Sequence, residues 1–195
     1  MERCKIYELS QDAQKELLKT NHYLQEVMQD IANDSAQITF DDIADYFHHK
    51  NILNGRTDRS ATIETDNYNR AIVTSKDYEQ FILDCTKLDD DYSFLTDTSK
   101  SLLERLYNKV ELYKDYDFGY ITDLSDEQER NFSRWFENGL ETLENELAGF
   151  ITNEIEYYYT NEYLEEEFLY CVGAFERFEN WETDGKHIFF EECKA

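Results

Sequence analysis

A mainly α-helical fold with a small β component (α+β) is what this 195-residue sequence predicts, and three observations carry it. Apolar residues recur at helical spacing through most of the chain. There is no proline and there are only six glycines, and just a few short stretches alternate or turn in the manner of β-hairpins. Aromatic residues make up 15% of the chain, with 15 Tyr and 13 Phe, which places it among folded domains rather than acidic solvating tails.

Taken in order, Ala13, Leu17, Leu24, Val27, Met28 and Ile31 predict a first helix over residues 11–33. Thr39, followed by Asp41 and Asp42, reads as an N-cap with first-turn acids. It opens a second helix with Phe40, Ile43, Ala44 and Phe47 inward, which Asn54-Gly55 ends. Residues 61–73 alternate as two short strands around Asp66-Asn67, with Ile63 opposite Ile72 and Val73. Helices follow through Tyr78, Phe81, Ile82 and Cys85, and through Leu102, Leu103, Leu106 and Val110. Ser125-Asp126-Glu127-Gln128 is a capping box, behind which Phe132, Trp135, Phe136, Leu140, Leu143, Leu147, Phe150 and Ile151 keep one face. The pattern runs on through Ile155, Tyr158 and Tyr159, and a further stretch carries Leu164, Phe168, Val172 and Phe175. Asp184-Gly185, between Trp181–Thr183 and Lys186–Glu191, signals a closing hairpin. Asp89-Asp90-Asp91 and Thr96-Asp97-Thr98-Ser99 interrupt the periodicity. They divide the chain into 1–97, helical with a short hairpin, and 98–195, acidic, helical and ending in a hairpin.

The charge is the second message. Forty-four Asp and Glu face 19 Lys and Arg, a formal net charge of −25. Nucleic-acid or anionic-membrane binding needs the opposite sign, so neither is expected as a direct partner. No apolar run is long enough to span a membrane, and the chain does not open like a secretory signal; the expected compartment is the cytoplasm. Cys4, Cys85, Cys171 and Cys193 form no C-x-x-C pair and read as four reduced thiols.

The acid is densest late in the chain. Residues 126–195 hold 19 acids against 5 bases. Glu154, Glu156, Glu162, Glu165, Glu166 and Glu167 fall within 14 residues, which as one helix span about 21 Å. One carboxylate per ~3.5 Å is close to the ~3.4 Å axial charge spacing of a DNA strand. Glu176 and Glu179 prolong the run, and Asp89, Asp90 and Asp91 add a second cluster. Glu165-Glu166-Glu167 has no base within four residues on either side, so no helical ion pair relieves it. Tyr157, Tyr158 and Tyr159 are consecutive, so they cannot all point inward, and exposed tyrosine beside carboxylates suits an interface.

On these residues the chain resembles the acidic anti-defence proteins of phages and mobile elements, the DNA-mimic antirestriction proteins and CRISPR inhibitors. The resemblance implies an inhibitor that binds the positively charged nucleic-acid groove of a host-defence nuclease. A type II CRISPR effector is preferred over a restriction enzyme, and DNA-like acidic helices would block target binding. It implies no catalysis and no cofactor. The candidate contacts are Glu154, Glu156, Glu162, Glu165, Glu166, Glu167, Glu176, Glu179, Tyr158, Asp89, Asp90 and Asp91.

Other readings fit parts of the sequence. An immunity protein or antitoxin masking a basic toxin nuclease carries the same charge. Asp41, Asp45 and His49, at i, i+4 and i+8, would share a helix face and could hold a divalent cation in a small metal-dependent enzyme. No nucleophile elbow, phosphate loop, dinucleotide fingerprint or zincin motif supports an enzyme otherwise. Ile38 to Phe47 with the strands at 61–73 could form a winged-helix fragment. Arg56, Arg59 and Arg70 there would touch nucleic acid or, better matched to the chain's charge, acidic surface of a second copy. The long aromatic helices also allow a homodimer.

Overall fold

The first apolar stripe breaks earlier than its periodicity implies. In the computed structural model, which describes residues 6–50, 55–117 and 124–174, a single 3-10 turn at Ile6–Glu8 leads into α1 at Gln11–Thr20. Ser10 caps α1 by accepting from the Ala13 amide at 3.3 Å. Asn21 then leaves the helical region, and its side-chain oxygen accepts from the Leu24 amide at 3.1 Å, so it closes α1 and starts α2 at His22–Asp45. A short amide that can bond its own backbone competes with the helix at this point, which apolar spacing does not register. The expected new start at Thr39 does not occur, because Leu24, Met28, Ala32, Ala36, Ile43 and Phe47 keep one buried phase straight through it. Nor does the helix persist to Asn54-Gly55. It ends at Asp45, and Phe47 closes the last turn by donating to the Ala44 carbonyl at 3.0 Å.

Two antiparallel hairpins follow. β1 (His48–Lys50) pairs with β2 (Thr57–Arg59), His48 opposite Arg59 and Lys50 opposite Thr57. Neither strand carries apolar alternation, so this hairpin had no sequence signal. β3 (Ala61–Thr65) pairs with β4 (Ala71–Ser75), with Ile63 opposite Val73 as expected and Glu64 opposite Ile72. The connecting loop is built on Asp66, which accepts from the Tyr68 and Arg70 amides and from the Arg70 guanidinium at 2.8 and 3.0 Å. Those bonds hold the Asp66 carboxyl below its ordinary range.

The remaining elements among the described residues are helices: α3 (Tyr78–Tyr92), α4 (Asp97–Tyr107), α5 (Val110–Asp117), α6 (Asp126–Tyr157) and α7 (Asn161–Ala174). Asp77 and Thr96 cap α3 and α4. The capping box forms at α6: the Gln128 amide donates to the Ser125 hydroxyl at 3.4 Å, and the Ser125 amide donates to the Gln128 side chain at 2.9 Å. Asp89, Asp90 and Asp91 do not interrupt α3 but form its last turn, which Ser93 ends in the left-handed conformation. The fold is thus mainly α with two small two-stranded sheets. The closing hairpin expected over 181–191 lies outside the described residues.

Contacts divide the chain into two units. One combines the two chain ends, Met1–Gln37 with Ile155–Ala195; the other is Ile38–Glu154. The boundary expected between residues 97 and 98 falls inside the second unit, in the first turn of α4. The core of the first unit is Ile6, Leu18, Leu24, Met28, Phe168 and Val172, edged by Leu17, Ile31 and Leu164. Gln14, buried with it, donates to the Ile6 and Leu9 carbonyls at 3.0 Å each and ties the opening turn to α1.

In the second unit Phe47, Phe81, Ile82, Leu88, Leu106, Phe136, Leu143 and Leu147 are buried, each worth about 1.5–3 kcal/mol by area. Tyr113 stacks on Phe136 with ring centroids 4.2 Å apart. α6 also caps the edge of β4: the Ala71 amide donates to Thr152 at 2.9 Å and the Ser75 amide to Glu144 at 2.7 Å.

Two glycines on α6 separate helix propensity from packing. A Cβ at Gly149 meets open space, so Gly149→Ala should raise stability by about 0.5–1 kcal/mol through reduced unfolded-state freedom. A Cβ at Gly139 stands 2.9 Å from one methyl of buried Leu106 and 3.2 Å from the other. Overpacking there outweighs the helical gain, and Gly139→Ala should lower stability by about 1 kcal/mol. Urea unfolding midpoints of the two variants should move in opposite directions.

Candidate functional site

The glutamate run is not a single rod. α6 ends at Tyr157, and a turn follows in which the Tyr158, Tyr159 and Thr160 amides donate to the carbonyls three residues back. Thr160 then accepts from the Tyr163 amide at 3.2 Å and launches α7. The continuous 21 Å array expected over residues 154–167 is therefore replaced by shorter acidic faces. Glu154 is half-buried on α6, and Glu156 is exposed. On α7, Leu164, Phe168 and Val172 turn inward while Glu162, Glu166 and Tyr170 stand exposed at i, i+4 and i+8. Glu167 is half-buried and accepts from the Cys171 thiol at 3.5 Å. Glu176 and Glu179 lie outside the described residues.

Glu165 behaves differently from its neighbours. It has no helical counter-ion, but α1 supplies two: Lys15 and Lys19 each approach it to 3.1 Å. Their hydrogen bonds hold the Glu165 carboxyl below its ordinary range. The group expected to stand unrelieved is thus the electrostatic link between α1 and α7. Tyr158 is half-buried, edge-on to Tyr163 at 4.9 Å and to Tyr157 at 5.7 Å, and the Tyr163 hydroxyl donates to Ser35 of α2 at 3.1 Å. Tyr157, 47% exposed, is the outward member of that group.

The aspartate cluster divides in the same way. Asp89 accepts from the Leu95 amide at 2.7 Å and pairs with Lys100 at 2.9 Å, which raises the Lys100 ammonium above its ordinary range. Asp91 accepts from the Tyr46 hydroxyl, and that bond pushes the Tyr46 phenol up to about 12. Asp90 is exposed. Asp89 and Asp91 therefore stabilise the end of α3, and only Asp90 points freely outward.

A wider acidic surface escaped sequence reasoning. In the first unit Asp12 and Glu16 are exposed on α1, and Glu26, Asp30 and Asp34 on α2, all at i, i+4 spacing like Glu162 and Glu166. Like charges at that spacing cost about 0.2–0.5 kcal/mol per pair. Over residues 6–37 and 155–174 there are eleven acids, two lysines and no arginine, and both lysines are those engaged by Glu165. Glu26 has His22 at 3.3 Å. The signal that could have found this face is the four-residue recurrence of acids opposite an apolar stripe.

The metal reading does not hold. α2 stops at Asp45, so Asp41, Asp45 and His49 are not three turns of one helix; His49 sits on β1, bonded at 2.7 Å to buried Asp84. Among the described residues no group of three or more His, Cys, Asp and Glu could hold a metal ion. The winged-helix fragment fails as well, because Ile38 to Asp45 is the end of α2, and Arg70 is held by Asp66 with its guanidinium 5.3 Å from the Tyr68 ring. Cys85 is buried, which pushes its thiol well up.

No family model, curated protein or solved structure matches the chain. Among the described residues no helix is long and apolar enough to cross a membrane.

The Glu165 link sets a pH dependence. A carboxyl lowered in the folded state contributes stability above its unfolded value, and that contribution is lost as pH falls through the folded one. Glu165→Gln should be less stable than the native chain at pH 7, and the difference should vanish below the ordinary glutamate range near 4.5. Thermal unfolding of both chains from pH 7 to pH 3 checks it.

Proposed function

We propose that the protein is an inhibitor that occupies the positively charged nucleic-acid groove of a host-defence nuclease, with a type II CRISPR effector as the first target. One observation supports this above the others. The described part of the first unit presents exposed carboxylates on α1, α2 and α7, while its two lysines are both engaged by one glutamate. Repeated like charge costs stability that ordinary interspersed lysines would relieve. A basic groove supplies that relief from outside, through charge-assisted bonds from arginine and lysine to the outward carboxylates.

The contacts that support this reading best are Glu162 and Glu166 on α7, then Glu156 and the α2 acids Glu26, Asp30 and Asp34. Glu165, Asp89 and Asp91 serve the fold and rank below them. Association would be steered at low salt and weakened by screening.

The test is competition with target duplex for a purified, guide-loaded type II CRISPR effector, read by gel mobility at low and high salt. The native chain should displace the duplex, and Glu162→Lys with Glu166→Lys should weaken displacement about tenfold or more, equivalent to about 1.4 kcal/mol. Circular dichroism confirms that the variant is folded. No displacement, or displacement indifferent to the reversal, overturns the reading.

A further inference from the structure

The β1–β2 ribbon reverses the polarity of the chain on one face. Directly paired residues share a face of a ladder, and alternate residues change face. His48, Lys50, Thr57 and Arg59 therefore stand on one side, and His49 and Asp58 on the other. His49 turns toward Asp84 of α3, which fixes the second side as the inner one. Of the paired residues, the outer side carries two permanent cations, Lys50 and Arg59, with His48 and Thr57, and no acid. Lys50 and Arg59 are exposed, and neither takes part in the ion pairs of the described residues. His48 lies 3.5 Å from Asp45.

The complement to this face is present on the chain itself. Lys50 lies diagonal to Arg59, about 7–8 Å apart in a regular ladder, and acids at i, i+4 on a helix are about 5–6 Å apart, a mismatch that long side chains span. Glu162 and Glu166 on α7 have that spacing, and Tyr170, 61% exposed, continues the same face one turn on. A guanidinium can pair with a carboxylate and lie over an adjacent phenol ring. Arg70 makes both contacts within the chain, with Asp66 and Tyr68.

We infer that the outer face of the β1–β2 ribbon docks on the Glu162–Glu166–Tyr170 face of α7 in a second copy of this chain, with Lys50 and Arg59 as the recognition groups. Two chains of −25 repel at long range, and salt near 0.15 M confines that repulsion to about 8 Å while leaving close pairs in contact. Self-association should therefore peak at intermediate ionic strength. The inference does not rest on the proposed function: both engage Glu162 and Glu166, but the ribbon that recognises them here is one which that reading leaves unused.

The experiment is a charge swap followed by sedimentation velocity from 20 mM to 1 M salt. The native chain should associate, and Lys50→Glu with Arg59→Glu should weaken association at least tenfold, as should Glu162→Lys with Glu166→Lys. An equimolar mixture of the two variants should associate again, because each reversed face then meets its complement. A native chain that stays monomeric across the series overturns the inference, as does a mixture no tighter than the separate variants. So does a ribbon that instead binds a single-stranded oligonucleotide, read by fluorescence anisotropy, without self-association. A ribbon variant that still displaces duplex from the effector separates this result from the proposed function.

Discussion

Ser60 joins three parts of the second unit through its own hydrogen bonds. It is 1% exposed, and every polar group it owns is engaged. Its amide donates to the Phe47 carbonyl at 3.0 Å, its carbonyl accepts from the Lys76 and Asp77 amides at 2.8 and 3.1 Å, and its hydroxyl donates to Asp84. One residue thus joins the end of α2, the junction of the two hairpins and the cap of α3. Asp84, itself buried, also receives His49 from β1 and Gln80 from its own helix at 3.0 Å. A carboxylate taken out of water is tolerated when donors surround it, and becomes a liability when one is removed. The orientation of the ribbon follows from this centre, since turning His49 inward turns its neighbours outward.

The two units handle charge by different means. In the second, opposite charges meet across elements, Lys100 with Asp89 and Lys114 with Glu79 at 2.6 Å, and within the β3–β4 loop, Arg70 with Asp66. In the described part of the first, only Lys15 and Lys19 offer a permanent positive charge, and both converge on Glu165. Its stability rests instead on a compact apolar cluster around Phe168 and on neutral hydrogen bonds such as those of Gln14 and Tyr163. The acidity is therefore carried by helices whose inner faces are packed in the core, which fixes the face on which each acid stands.

Much of the fold was legible because burial writes itself into spacing. The α3, α4 and α6 stripes, the capping box at Ser125 and the β3–β4 hairpin all follow from apolar period and local bonding. What was not legible depended on single polar groups or on partners distant in sequence. Asn21 breaks a helix through one side-chain bond. β1 and β2 have no apolar alternation and are held from outside by Phe47, Ser60 and Asp84. The charge density of the candidate site could be read from composition, but its relief could not. Glu165 meets lysines roughly 150 positions away, and Asp89 and Asp91 are engaged by residues beyond their own helical turn. Counting neighbours along a helix finds local ion pairs and misses tertiary ones.

That one unit is assembled from two segments distant in sequence has a consequence for synthesis. Ile38–Glu154 is contiguous, so its partners emerge from the ribosome together and can pack while translation continues. Leu18, Leu24 and Met28 emerge before any of them, yet Phe168 and Val172 emerge only after all of them. The nascent first unit must therefore wait with its apolar face uncovered until Phe168 and Val172 have been made, and closure then spans the whole intervening segment. Its abundant negative charge, whatever it later binds, keeps such unfinished chains apart during that interval.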